Sequence, residues 1–501
     1  MGDLAFALHE ISKSFGEVTA NSKVSFEVEA GTAHGIVGEN GAGKSTIMKI
    51  LYGLYPPDSG WVEVKGKREN ITHPETAIKL GIGMVHQHFM LVPTLSVWQN
   101  LSIGTEPGPV LFPKKIKEKL QSLQKEYGFQ LDLNARIENL SVGQQQQVEI
   151  LKLLHRNADI LILDEPTAVL TPQEVDQLFT RLKTLLEKGR TIILITHKLK
   201  EILRFTQRVT VMRQGRVVDT THTKELTETS LAEKIIGRKR NSLPERKIFP
   251  VDAKVLIEVQ DLSLKQPDRE SLQKINFSVR SGEILGVAGI EGNGQAAVVE
   301  CLAGVERGYG GSVRVQGREV SRINPYRLHQ LQYALVPPDR HREAAILEFT
   351  AEENFSLGHQ RERVFQLAGF IRSRSRRDET LKGLQAFDVR PPNPDQRFRE
   401  FSGGNQQKLV LAREFTREVR TVIASHPTRG VDIGAIERIH AELLMWRDKG
   451  AAILLFSSEL EEILDLSDRI LVLYEGKVAG VCKRSEANER QLGLWMTGGT
   501  A

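Results

Sequence analysis

At 501 residues, with 40% hydrophobic and 26% charged residues, the chain is too long for one ordinary core and too rich in apolar residues for disorder; two domains of roughly 250 residues each are expected. A net charge of +5 is too mild to argue for nucleic-acid binding and suits a protein working beside anionic lipid. Two scattered thiols, Cys301 and Cys482, exclude a disulfide framework and a zinc site, and no apolar run is long enough to span a bilayer.

The first residues, MGDLAFALHEISKSFGE, lack the basic-then-apolar order of a secretory signal, so the chain is expected to stay in the cytoplasm. AHGIV reads as a strand and KSTIMKILYGL as a helix, and between them lies GENGAGKST, Gly38 to Thr46. This fits the phosphate-loop pattern G-x-x-x-x-G-K-[ST] in the strand-to-helix context that the pattern requires. Gly38, Glu39, Asn40, Gly41, Ala42 and Gly43 can turn backbone N–H groups inward around phosphate oxygens, at the positive end of the following helix. Lys44 is expected to hold the β- and γ-phosphates, and Ser45, followed by Thr46, to offer its hydroxyl to Mg²⁺. The bland alternative is a glycine-rich turn with a surface lysine, and the rest of the chain weighs against it.

Gln87, in GMVHQHFMLVPTL, follows a short strand; its amide can serve both Mg²⁺ and a water from a loop able to move. ILILDEP ends an apolar strand on Asp164, placed to hold hydrated Mg²⁺, and Glu165, placed to polarise an attacking water. Without the loop, those carboxylates would read as a solvated turn. After the helical stretch QEVDQLFTRLKTLLEKG, the strand TIILIT leads to His197, expected at the same sheet edge as Glu165. This alternation implies α/β layers around a mainly parallel sheet.

RKRNSLPERKIFPVDA, polar and basic with two prolines, reads as a linker, giving domains at 1–240 and 255–501 with the linker at 241–254. Beyond it the sequence repeats. VSFEVEAG, ending at Gly31, matches INFSVRSG, ending at Gly282; Ser141 in LSVGQQQQ matches Ser402 in FSGGNQQK; the offset grows from 251 to 261 residues between these landmarks. The second copy departs where its own phosphate chemistry should be. In GIEGNGQAA, Gln295 replaces the lysine and Ala296 the hydroxyl; Ser425 and His426 stand for Asp164 and Glu165, Ser458 for His197, and Pro338 for Gln87. Its basic run RSRSRR, Arg372 to Arg377, reads as a solvated face.

Taken together, these motifs resemble the nucleotide-binding subunits of ATP-binding-cassette transporters, over nearly the whole chain and in two copies. LSVGQQQQVEIL looks like that family's signature motif, followed by the Asp-Glu strand, a TAVLT loop and the His197 switch. The resemblance implies two tandem cassettes, each a mainly parallel sheet with an antiparallel β part and a helical subdomain. It implies ATP and Mg²⁺ as ligands, Phe15 stacking on adenine, and Gln87 as a lever toward membrane subunits. Family members close two cassettes head to tail, which would set Lys44, Asp164, Glu165 and His197 opposite Ser402, Gly403, Gly404 and Gln406. The degenerate loop would then face Val142, whose side chain replaces the first glycine of the pair and hinders approach to phosphate. VHQHFMLVPTLSVWQN, DEPTAVLTPQE and FSGGNQQK look most like importers of nucleosides, with simple-sugar importers next. Such a protein would sit on the cytoplasmic face of the membrane with two permease subunits and an external binding protein, without nucleic acid. The competing class, a soluble tandem-cassette translation factor, usually carries two competent sites and a long charged helical linker. A third reading, a regulatory nucleotide sensor, sits poorly with intact Glu165 and His197.

Overall fold

The computed structural model describes residues 3–499 except 17, 40, 87–88, 106–111, 168–169, 197, 238–252, 266–270, 291, 324 and 432. The chain divides into two compact units, Met1–Arg240 and Asn241–Ala501; of the expected linker at 241–254, only the last two residues fall within the described part.

In the first unit, strand Val18–Glu29 buries Val24, Phe26 and Val28 and exposes Ser25 and Glu27, the alternation of a sheet with one wet face. It joins an antiparallel sheet in the order Val18–Glu29, Leu4–Phe15, Ser59–Val64, Lys67–Glu69. The second sheet is different in kind. Ala33–Gly38, Ile160–Asp164 and Thr191–Ile195 are buried at every position, as continuous apolar runs in a parallel sheet should be. Its order is Arg216–His222, Arg208–Arg213, Ala33–Gly38, Thr191–Ile195, Ile160–Asp164, Ile82–Val85, parallel throughout except for Arg216–His222.

Parallel register has a direct consequence for function. Asp164 lies opposite Ile195, and Ile36 opposite Ile195 as well, so the carboxyl ends of these strands share one edge. The loops holding chemistry in the sequence leave the sheet there, as expected for an open α/β sheet. Helix Lys44–Leu51 docks beneath, burying Ile47, Met48, Ile50 and Leu51 in the core shared with both sheets. Helices Val142–His155 and Pro172–Glu187 each begin with a capping box, Ser141 with Gln144 and Thr171 with Glu174.

The second unit repeats both strand orders, from Val255–Leu264 to Lys477–Lys483. It adds a short hairpin, Gln366–Leu367 with Phe370–Ile371. The basic run is a largely solvated face, as expected: it opens helix Ser373–Ala386 with Arg372, Arg374 and Arg377 exposed, while Arg376 bonds Glu352 at 2.6 Å and Arg377 grips Asp395 through two bonds of 2.7 and 2.6 Å. Cys301 is fully buried, and burial pushes its thiol up to about 12, so it behaves as a small apolar residue. Among the described residues, no helix is long and apolar enough to cross a membrane.

Candidate active site

The loop after strand Ala33–Gly38 is built for close approach to backbone. Gly43 sits at φ +92°, and a methyl group there would lie 2.4 Å from both the Ala20 carbonyl oxygen and Asn21 Nδ2. Asn21 donates to the Gly43 carbonyl at 3.2 Å, and the Gly215 N–H donates to the Ala42 carbonyl at 3.2 Å, so strand Val18–Glu29 and the turn at Gly215 clamp the loop. Gly41, at φ +83°, has open space around it and needs glycine for its backbone angle alone.

Lys44 is buried and folds back under the loop, its Nζ donating to the carbonyls of Gly38 at 2.7 Å and Glu39 at 2.9 Å. Burial holds its pKa below the ordinary lysine value, against the attraction of Glu165, Asp164 and Glu39. Burial likewise raises the Asp164 carboxyl, although a hydrogen bond from the Ser45 hydroxyl pulls it down; Glu165 beside it pushes it up again. An amine lowered and a carboxyl raised in one cleft are the shifts that a phosphate and a divalent cation would reverse. Two oxygens, Ser45 Oγ and an Asp164 carboxylate, also match a cation that takes few protein ligands and keeps phosphate and water for the rest.

Glu165 has φ +52°, rare for a residue with a side chain, and its N–H bonds the Ile195 carbonyl at 2.8 Å. The turn holding it is thereby pinned to the strand that leads toward His197. Asn40, Gln87 and His197 themselves lie outside the described residues. Phe15 is 44% exposed and meets Tyr55 edge-on at 5.1 Å, so its ring presents a surface instead of filling a core.

Several positioning contacts carried no signal in the sequence. Glu201 is buried, accepting from Thr167 Oγ1 at 2.9 Å and Thr196 Oγ1 at 3.4 Å; it joins the segment after Glu165 to the one before His197. Glu149, on helix Val142–His155, accepts from the Met90 N–H at 2.6 Å, tying the segment beyond Gln87 to the helix that begins at the signature motif. Gln146, on the same helix, donates to the Pro166 carbonyl. Which partner a buried carboxylate or amide meets across elements follows no spacing rule in the sequence.

The second unit keeps the cradle and changes its contents. Gly292 and Gly294 stand at φ +99° and +105°, matching Gly41 and Gly43, and helix Gln295–Leu302 starts where Lys44 starts its own. Gln295 is as deeply buried as Lys44, and donates to the Ile290 carbonyl at 3.1 Å. Its Oε1 is buried without a hydrogen-bond partner among the described residues, so an acceptor stands where phosphate would want a cation. His426 keeps the unusual backbone of Glu165, at φ +47° with its N–H on the Phe456 carbonyl at 2.8 Å, but carries no carboxylate.

The two signature motifs also differ. Ser141 completes its capping box, accepting from the Gln144 N–H at 3.3 Å, and Val142 beside it is 40% exposed. Ser402 makes no such cap; its Oγ accepts from Asn405 Nδ2 at 3.0 Å. Gly403 and Gly404 follow in the first turn of helix Gly403–Phe415. Gln406 is buried behind them, its amide donating to the Phe398 carbonyl at 3.0 Å and its Oε1 facing His341 Nε2 at 2.8 Å.

A family model described as ABC transporter matches residues 21–168 and 272–429, one stretch in each unit. The chain is 43% identical to a nucleoside import ATP-binding protein of Lactococcus lactis subsp. cremoris, over 98% of this chain and 97% of that one. It is 40% identical to a guanosine import ATP-binding protein of Bacillus subtilis, over 98% and 96%. A ribose import ATP-binding protein of Shouchella clausii is 38% identical, over 98% of each chain.

Proposed function

This chain belongs to the ABC transporter family, and on that premise we propose that it is the ATP-hydrolysing subunit of an importer that carries nucleosides. What supports the reading is the grouping of Lys44, Ser45, Asp164 and Glu165 at one strand edge, in a chain 43% identical to a nucleoside import ATP-binding protein. Two permease subunits form the membrane path, an external binding protein delivers the ligand, and the chain works at the cytoplasmic face. A second reading, import of a simple sugar, has the 38% identity to a ribose import ATP-binding protein in its favour. Uptake of labelled nucleosides and ribose, compared between native cells and cells carrying Glu165→Gln, decides between them. Selective loss of nucleoside uptake is expected. Selective loss of ribose uptake would move the substrate, and no loss of either would overturn the transport reading.

Lys44 and the loop N–H groups hold the phosphates of ATP, and Phe15 offers its exposed ring to the base. Ser45, Asp164 and Gln87 would hold Mg²⁺, which neutralises phosphate charge when bound. Glu165 directs the attacking water and accepts its proton, while His197 supports the γ-phosphate. Ser402, Gly403 and Gly404 keep the serine and paired glycines of the signature motif in the second unit. ATP binding and hydrolysis drive the permeases between their two orientations.

Glu201 is a positioning residue in this scheme, holding the segments on either side of the reacting centre in register. Glu201→Ala is expected to lower kcat by about 10- to 100-fold with KM for ATP little changed. Glu201→Gln, which still accepts from both threonines, should recover much of the loss. Steady-state kinetics on both variants checks this; a parallel rise in KM would point to damage in the binding loop instead.

A further inference from the structure

The hairpin of Gln366–Leu367 and Phe370–Ile371 in the second unit carries three large apolar side chains into solvent: Leu367 is 62% exposed, Phe370 80% and Ile371 63%. The backbone explains why they stand out. Leu367 pairs with Phe370 and Gln366 with Ile371, so the connection is the two residues Ala368 and Gly369, at φ +50° and +86°, the left-handed pair of a tight hairpin turn. Paired residues share a face and successive ones alternate, which puts Leu367 and Phe370 on one face and Ile371 on the other. Each face of the tip therefore carries apolar surface open to water.

The base of the hairpin, by contrast, is held. Phe365 is buried and meets Phe355 edge-on at 6.5 Å; the Arg372 N–H donates to the Phe365 carbonyl at 2.9 Å, and Arg372 Nη1 to the Arg363 carbonyl at 3.0 Å. The Gly369 N–H donates to Gln366 Oε1 at 3.0 Å and braces the turn. Charge of one sign surrounds the tip. Residues 361–374 hold four arginines, Arg361, Arg363, Arg372 and Arg374, against the single acid Glu362, a net charge of +3. All four arginines are exposed, while Glu362 is engaged with His359 Nδ1 at 2.7 Å and Arg417 Nη1 at 2.9 Å.

We infer that this hairpin is a membrane-surface contact, its tip entering the headgroup boundary of a bilayer while the flanking arginines meet anionic lipid. Phenylalanine, leucine and isoleucine above a basic collar are side chains that settle at such a boundary, and each nearby arginine adds attraction to an anionic leaflet. The turn stays at headgroup depth, where water still satisfies its backbone. A protein partner fits less well, since a specific interface takes about 800 Å² from each side, spread over about 20–30 residues, far more than this tip offers. A bilayer needs no matching surface. The contact is additional to the importer reading, which calls only for permeases.

The test sediments the full chain, without permeases, with vesicles of phosphatidylcholine alone or mixed with phosphatidylglycerol. The native chain is expected to follow the mixed vesicles, and less so at high salt. Leu367→Ser with Phe370→Ser should weaken that binding by about tenfold or more. Arg363→Gln with Arg374→Gln should weaken it by about 25-fold, since each arginine near the surface is worth about fivefold. These side chains are exposed and lie outside the phosphate loop, so ATP binding should stay native in both variants and shows that they fold. Phe370→Trp gives a local reading, because its fluorescence should shift to the blue on the mixed vesicles, beyond any response of the native tryptophans. Equal binding of the native chain to both kinds of vesicle, binding to neither, binding that survives both double variants, or no shift in Phe370→Trp would overturn the inference. So would a serine variant that keeps its vesicle binding but loses self-association or binding to solubilised permeases, which would assign the tip to a protein contact.

Discussion

Glu165→Gln is expected to abolish ATP turnover by the whole chain, by about 10²–10⁴-fold, while ATP remains bound. Glutamine fits the φ of +52° as well as glutamate does, and the N–H bond to Ile195 belongs to the backbone, so the turn should persist without its base. The matching positions of the second unit offer no carboxylate to take over. Its corresponding turn carries His426 after the buried Ser425, and its loop carries Gln295 and Ala296. Single-turnover release of phosphate, followed beside filter binding of ATP, reads both halves of the expectation. Residual turnover within a few fold of native would mean that another group directs the water. The same variant also allows ATP to be counted: one per chain if Gln295 has closed the second cradle to phosphate, two if the cradle still binds.

Much of this site was legible because its chemistry is local. A phosphate loop is read from spaced glycines and a lysine, and here Gly41 and Gly43 stand at φ +83° and +92° with Lys44 opening the helix that follows. The strands were equally readable, since burial on both faces leaves runs such as ILIL, before Asp164, with no polar position. Contacts made between elements were not legible. Glu201 reads as one acidic residue on an amphipathic helix until folding brings Thr167 and Thr196 to it. The hairpin tip was hidden for a related reason: QLAGFI reads as a short apolar run around a glycine, and only the fold shows Leu367, Phe370 and Ile371 left open to water. The offset between the copies announced about ten additional residues, but their use depends on the neighbours they meet.

Exchanging the two loop residues should give opposite and unequal results. Lys44→Gln copies the second cradle into the first unit, with an amide able to reach the Glu39 carbonyl as Gln295 reaches Ile290. The loop should keep its shape, since Gly41, Gly43 and the clamps from Asn21 and Gly215 are untouched. What disappears is the charge, and losing one charged hydrogen bond to phosphate costs about 1.5–3 kcal/mol, or about ten- to a hundredfold in ATP affinity. Turnover should fall further, because the charge matters most as the γ-phosphate departs. The reverse exchange, Gln295→Lys, should tighten nucleotide binding at the second loop without adding turnover. It supplies a cation beneath a cradle of the right shape, but His426 still carries no carboxylate, and Ala296 no hydroxyl to share with a metal. Isothermal titration for stoichiometry, with phosphate release for rate, distinguishes the outcomes. A chain in which Gln295→Lys raised the maximal rate would show that the second unit had lost its lysine alone. Unchanged affinity in Lys44→Gln would show that the backbone cradle, and not the amine, holds the nucleotide.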